Sequence, residues 1–599
     1  MSKNQKKIIP INYTNREFEG IRRDLLQIAE RHYPDTFRDF SEASFGAMMV
    51  DNLAYVGDQL SFYLDYNVNE TFLDTSYQYE NIVRHGRALG YKETGRASTY
   101  GRVALFILIP ASPSGLGPDR RYIPILKKGS SFSSRNGLNF MLTENVDFAA
   151  PRTQVIAART NTTTGAPTYY AIKTYGNVVS GRMGTERITV GAYERFKTIT
   201  LSSPNISEII SVFDEQGNEY YEVDYLAQDL IFKEISNSNY KNDNVPSILK
   251  PFLVSRKFVV NRSRNSVTLQ FGSGKSGETN IVADPASVAM DVFGKTYVSS
   301  TTFDPSRLTK NESMGIVPSD TILTVTYRTT NPTNSNVSVG AINNVNSSLL
   351  DFEDRTSLTD SVVSEIVSSV EVSNEEPIFG DVSNPTSDEL KRRIYDTFPT
   401  QNRAVTQADY ENMIYRMPAK FGSIKRCSAQ RDPDSRRRNI NIYTISEDNF
   451  GNLIATNSTI KNNLKTWMNN YRMLSDTIDV LDAYIINYGI DFVVKPSIGV
   501  DKFTLVDSCI EVLRARYTSE KLFIGEMIDI ADIYNTLSNV EGVLNVTNVK
   551  ITNRIGANYS SVQFDINENT SPDGSSVIIP KNAIAEIKYP SVDIKGKIK

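Results

Sequence analysis

Apolar positions at the start of the chain recur at helical spacing. Phe18, Ile21, Leu25 and Ile28 fall on one stripe, with Thr14 and Glu17 arranged as a capping box before it and Pro34 closing the run. A second helix is predicted over FGAMMVDNLAYVGDQLSFYLD. Phe45, Met49, Asn52, Val56, Leu60 and Tyr63 share one face, and Met48, Leu53 and Leu64 widen it, so only one narrow side is left for water. Such a helix is expected to pack against several neighbours. A third helix is predicted to start near Thr75, run through Ile82 and Ala88, and stop at Gly90.

From Gly101 the period shortens to two. RVALFILIP reads as a strand buried on both faces, and the stretch from Tyr122 to Phe148 as short strands joined by turns at Lys128-Gly129 and Asn136-Gly137. Alternation continues in ERITVGAYERFKTITL, KFVVNRSRNSVTLQFG and DTILTVTYRTT, with no helix longer than a few turns before residue 345. Residues 346–375 read as a connecting segment with one short helix. Helices return in NPTSDELKRRIYDTF and TQADYENMIYRM, the second capped by Thr406 and Asp409. Strands SIKRCSAQ and RNINIYTI, helix STIKNNLKTWMNNYRML, strand DAYIINYGIDFVVKPSIGV, helix LVDSCIEVLRARY and the stretch DIADIYNTLSNVEGV leading into the strand VLNVTNVKI then alternate. On the long strand Tyr488, Ile490, Phe492 and Val494 share a face. The tail reads as strand-like, with a turn at Asp573-Gly574.

The fold class is therefore multidomain α+β. A helical region (1–100) precedes a β-rich domain (101–345), a linker with helices (346–422), small C-terminal α/β units of sheet plus helices (423–558) and a strand-like tail (559–599). By length alone, 599 residues suit roughly four compact units.

Composition narrows the function. With 65 basic and 69 acidic residues the net charge is −4, which gives no broad attraction for nucleic acid. Cys427 and Cys509 are the two cysteines, too few for a disulfide framework or a thiolate metal cluster, and both are expected to be buried and reduced. The start has lysines without an apolar run, which reads as no secretory signal. The longest apolar run, 103–110, is far below the ~20 residues of a membrane helix. A soluble protein made in the cytoplasm, with no membrane partner, is expected.

Candidate chemistry is sparse. LQFGSGKSGET offers Gly274, Lys275 and Ser276 in the order of a phosphate-binding loop. However, Leu269 stands where the first glycine is needed, and no helical period follows, so the stretch reads as a turn between strands. The two histidines, His32 and His85, lie on helices away from any nucleophile-elbow pattern. Arg436, Arg437 and Arg438 read as a solvated hairpin tip without interleaved aromatics. No catalytic, cofactor-binding or metal-ligating residue is nominated. The polar, β-rich middle leaves a receptor-binding, adhesin-like role open.

Two stretches carry a family resemblance. VSNEEPIFGDVSNPTSDELKRRI holds Asn374, Pro377, Gly380 and Glu389, and NRAVTQADYENMI holds Arg403, Ala404, Val405, Thr406, Asp409 and Tyr410. Together they resemble the central motif of the baseplate J-like proteins of contractile-tailed bacteriophages. FGSGKSG is similar to a family β-turn, with Ser273 in place of an aspartate, and VEGVLNV, with Gly542 and Val543, to the family's closing motif. The N-terminal helices and the tail look most like baseplate wedge proteins of large phages of this kind.

The resemblance implies a structural, non-enzymatic virion subunit without cofactors, assembled in the host cytoplasm. It would form the inner ring of the baseplate around hub and tail tube and relay the trigger for sheath contraction. Its N-terminal helices would meet other wedge subunits, through Phe18, Ile21, Leu25, Phe45, Met49, Val56 and Leu60. Its C-terminal parts would meet copies of itself, as a homodimer and in a six-fold ring. A ring that widens needs hinges, for which 346–375 and 380–385 are the candidates.

Overall fold

A computed structural model describes residues 16–32, 44–95, 97–113, 117–151, 153–203, 205–236, 247–263, 266–275, 281–283, 309–311, 314–330, 335–380, 385–435, 439–448, 450–519, 521–556 and 558–599. Thr14, Ser276 and the arginines at 436–438 lie outside them. The helices used below are α1 (Phe18–His32), α2 (Phe45–Glu70), α3 (Tyr79–Ala88), α4 (Asp360–Ser368), α5 (Ser387–Thr400), α6 (Gln407–Tyr415), α7 (Ser458–Met468), α8 (Lys502–Ser519) and α9 (Ile530–Ser538). The chain divides into two compact units, Met1–Lys92 with Pro385–Phe398, and Glu93–Asn384 with Pro399–Lys599. This is a multidomain α+β architecture.

In the first unit, Ile82, Val83 and Tyr91 pack with Leu390 and Ile394 into a small core. The third helix begins later than its sequence predicts, at Tyr79 rather than near Thr75. Glu70 explains the delay: its buried carboxylate accepts the Tyr77 N–H at 2.8 Å, the Gln78 N–H at 3.2 Å and Asn81 Nδ2 at 2.9 Å. These donors, led by Asn81, hold the carboxyl below its ordinary range. Backbone groups that would have opened a longer helix are used by a side chain instead.

The second unit is built on two seven-stranded sheets and a C-terminal α/β part. In the first sheet Tyr100–Pro110 lies between Pro167–Ser180 and Glu371–Ser373. Asn139–Leu142, Ser131–Ser134 and Ile342–Ser347 extend it in that order beyond Pro167–Ser180. Val103, Leu105, Ile107 and Ile109 line one face of the first strand, and Val363 and Ile366 of α4 join the same core. The stretch 346–375 is therefore not a free connector, because strand pairing holds both its ends and α4 plugs the sheet between them.

Asn374 joins the outer strands of this sheet. Its Oδ1 accepts the Ile342 N–H at 2.9 Å, its Nδ2 donates to Ser338 O at 2.8 Å and Glu376 O at 2.9 Å, and its own carbonyl accepts the Gly340 N–H at 2.8 Å. A fully buried amide with both its N–H groups and its oxygen bonded is a specifying contact, since each lost partner would leave a polar group without water.

The second sheet runs from Arg182–Val190 through Thr321–Thr329, Ile206–Phe213, Glu219–Glu222, Lys257–Ser263 and Ser266–Phe271 to Thr198–Thr200. Arg328 couples it to the first. At 1% exposure it donates to Ser98 Oγ at 3.0 Å and Ser180 O at 2.8 Å, with Glu208 Oε2 at 3.4 Å.

C-terminally, Arg426–Arg431, Asn439–Glu447 and Leu453–Ile454 form one sheet, which Thr477–Asp482 joins in parallel. This last strand, TIDVLD, is too polar on its outer face to stand out in the sequence. A second sheet centres on Tyr484–Pro496, whose Tyr488, Ile490, Phe492 and Val494 are buried as predicted. Val543–Asn553 pairs on one edge, and Ala583–Glu586 and Ile594–Ile598 pair in parallel on the other, so the strand-like tail completes this sheet.

Candidate interaction surface

The hairpin of α1 and α2 is packed through small residues. Ser44 caps α2 by accepting the Ala47 N–H at 3.1 Å. Ala47 and Ala54 are buried, and a Cβ added to Gly57 would lie 3.3 Å from Ile21, so the backbones approach closely along this side. Arg22 pairs with Asp51 at 2.6 Å and Arg16 with Asp65 at 2.6 Å along it. Both pairs are exposed enough to direct register more than to add stability.

The predicted apolar face of α2 exists but points outward. Phe45 is 74% exposed and Leu60 58%, and Met49 and Val56 are each about half exposed, as are Met48, Leu53, Tyr55, Phe62, Tyr63, Leu64 and Val68. At 3.6 residues per turn these positions cover an arc of roughly 240° opposite α1. The helix contains no Lys or Arg, and its acidic residues sit elsewhere: Asp51, Asp58 and Asp65 toward α1, and Glu70 buried. Phe18, Ile21 and Leu25 of α1 are half-buried. An uncharged apolar surface of this extent makes this face the candidate interaction surface of the unit.

The motif around α6 is structural. Thr406 and Asp409 form a full capping box: Thr406 Oγ1 accepts the Asp409 N–H at 3.2 Å and the Asp409 carboxylate the Thr406 N–H at 2.9 Å. Tyr410 is 1% exposed and donates to Asp476 Oδ2 at 2.8 Å, and burial first and Asp476 second push its phenol well above the ordinary range. The same helix closes a sheet edge, since Tyr415 Oη accepts the Cys427 N–H at 3.1 Å and Glu411 Oε1 the Ala429 N–H at 3.0 Å. Arg403 and Val405 lie on the surface beside it.

Gly542 turns the chain into Val543–Asn553 at φ +93°, where a side chain would be strained and would crowd Val500 and Leu505. Val543 is half-buried on the C-terminal core.

The glycine-lysine stretch is a packed turn. A Cβ on Gly272 would overlap the carbonyl oxygens of Met314 and Gly315, and Gly274 bridges to Ile316. Backbone, not space for phosphate, fills the loop's concave side. His85 bonds Glu70 O through Nε2 at 2.8 Å, and both cysteines are buried thiols. Among the described residues no three His, Cys, Asp or Glu side chains gather as a metal site, and no helix is long and apolar enough to cross a membrane.

Residues 17–88, which contain α1, α2 and α3, match the family model of the bacteriophage baseplate protein N-terminal domain. No curated protein matches the chain. Among solved structures, a chain in the cryo-EM structure of the anti-feeding prophage baseplate aligns at 9% identity, over 97% of this chain and 100% of that one, with a TM-score of 0.26. A chain of the type VI secretion system TssK-TssF-TssG baseplate subcomplex aligns at 8% identity, over 73% and 96%, with a TM-score of 0.18.

Proposed function

We propose that this chain is a structural subunit of a phage-type baseplate that works by docking rather than by catalysis. The coarse reading is supported by the baseplate N-terminal domain match over 17–88. The observation that carries the mechanism is the uncharged apolar face of α2, which lies within that same segment and is left open by the described residues. In the finer reading the chain is a wedge component of the virion, forming the inner ring around hub and tail tube. α1 and α2 bundle with helices of other wedge subunits, and the C-terminal sheets meet copies of the same chain. The trigger for sheath contraction then passes as a change between discrete packings of these contacts.

Two experiments test this. Immunogold labelling of the chain on isolated contractile tails should mark the baseplate disc close to the tube, whereas label on fibres, or none on the particle, would refute it. The paired change Val56→Asp with Leu60→Asp alters only exposed positions. It should leave the chain folded but exclude it from baseplates, and normal incorporation would remove α2 as the docking element.

A further inference from the structure

The outer face of the C-terminal sheet carries a block of lysines that no contact described above uses. In Ile594–Ile598 the side of Ile594 and Gly596 faces the core, where a Cβ on Gly596 would press on Phe492 and Val506. Lys595, Lys597 and Lys599 therefore project from the opposite side. Strand register sets Asp491 between Lys550 and Lys595, and Val493 between Asn548 and Lys597, with Lys495 next along the same side of Tyr484–Pro496. All five lysines are exposed. The one acid among them, Asp491, is met by Arg554 at 3.7 Å, so the five lysines leave this face net positive on a chain whose net charge is −4.

Beyond Pro496 two apolar side chains stand in solvent, Ile498 of the following turn at full exposure and Phe503 in the first turn of α8 at 83%. A surface of matching character exists on the same chain. Around α4, Leu350, Phe352, Val363 and Val367 line an open groove of about 540 Å³. Asp351 and Arg355 line it, and Glu353, Asp354 and Asp360 lie beside them in sequence; Asp351 pairs with Lys127 at 3.0 Å and Asp360 with Arg355 at 2.6 Å, which leaves this segment a net negative charge from Glu353 and Asp354.

We propose that the lysine face of one copy docks on the α4 groove of a second copy, with Ile498 and Phe503 seated in the groove and the lysines over its acidic rim. Two different patches meet, so the contact is heterologous and propagates from copy to copy until rotation closes a ring. The charge pattern sets orientation and approach rate, and the apolar pair excludes water at the centre. The proposal rests on the reading of this chain as a ring-forming subunit and specifies which surfaces form the contact.

The test is sedimentation velocity of the full chain across salt concentrations, with charge reversals on each side. Lys595→Glu, Lys597→Glu and Lys599→Glu together should weaken self-association about tenfold at about 50 mM salt and less at high salt. Glu353→Lys, Asp354→Lys and Asp360→Lys should do the same. Combining the two sets should restore association to within about threefold of the parent, since like-charge contacts become opposite again. Additive loss in the combined variant, or no loss in either single set, would overturn the proposal. Intact self-association with loss of duplex DNA binding in the lysine variant would overturn it too, by assigning the face to a polyanion. Because the α2 variants read incorporation into the particle, failure here is distinguishable from failure of the baseplate reading.

Discussion

Asn374→Ala should be among the most damaging single changes in the second unit. The substitution removes three side-chain hydrogen bonds, one to the N–H of Ile342 and two to the carbonyls of Ser338 and Glu376. The three do not count equally. Ile342 is fully buried, so its N–H is stranded without water, at a cost of about 1–3 kcal/mol. Ser338 and Glu376 belong to exposed residues and their carbonyls can recruit solvent, so each loss is nearer the net value of a hydrogen bond, about 1 kcal/mol. The sum is about 3–5 kcal/mol, a large part of a domain's usual stability.

Asn374→Asp sharpens the test. It keeps the acceptor for Ile342 but turns the two donated bonds into a carboxylate facing carbonyl oxygens. The folded-state pKa of the new carboxyl rises above its unfolded value, so the variant recovers stability as pH falls through that raised value and loses it again as pH rises. Urea unfolding followed by far-UV circular dichroism measures both, with the fluorescence of Trp467 as a second probe in another core of the same unit. A loss below about 1 kcal/mol for the alanine variant, or an aspartate variant as stable at pH 7 as at pH 4, would refute the accounting.

Other substitutions should respond to different terms. Tyr410→Phe removes a buried hydroxyl from Asp476 and should cost about 1.5–3 kcal/mol in urea unfolding, the range for bonds to charged groups; a neutral result would mean the bond is not formed in solution. Gly272→Ala should destabilise through overlap with the Met314 and Gly315 carbonyls, and parent and variant alike should give no heat with Mg·ATP in calorimetry; heat from the parent chain would revive nucleotide binding. Burial raises the pKa of Glu586, with Lys521 at 3.0 Å pulling it down. The contribution of a raised carboxyl is complete below 4.5 and lost as pH rises through its folded value. Glu586→Gln should flatten that part of the stability profile, and an unchanged slope would show that another group sets it.

Much of the fold was legible because its periods are strong. Val103 to Ile109, Tyr488 to Val494 and the Thr406–Asp409 box each state their structure locally, and the structure follows them. What was not legible depends on distant partners. Nothing around 346–375 announces that Ile342–Ser347 and Glu371–Ser373 will close one sheet through Asn374, and nothing in the tail announces that Ile594–Ile598 will pair with Tyr484–Pro496. The late start of α3 turned on Glu70, a residue outside that helix. Of the interface candidates, Phe45, Met49, Val56 and Leu60 share one exposed face. Tyr410, Thr406 and Asp409 serve their own unit, although the motif that contains them reads the same from sequence. Spacing finds an apolar face but does not say which side of a helix the chain itself will cover.

The docking proposed for α2 sets a minimum number of partner helices. Eleven large apolar side chains stand 46–74% exposed along it. Full burial of one such side chain contributes about 1.5–3 kcal/mol, so covering the exposed half gives about 0.7–1.5 kcal/mol each and roughly 8–16 kcal/mol for the face. Association costs about 4–15 kcal/mol in lost freedom before any gain appears. A single neighbouring helix covers only about 100° of arc, about two fifths of what is open, and its gain of roughly 3–7 kcal/mol reaches only the lower part of that cost. Covering the remainder takes a second neighbour, whose contribution comes without a second full entropic penalty if the two partner helices arrive already joined. The energetics therefore favour a bundle of α1, α2 and at least two partner helices over a simple pair. Cross-linking from cysteines placed at Leu53 and Phe62, on opposite flanks of the face, should then capture two different partner segments; capture of one segment by both positions would contradict this.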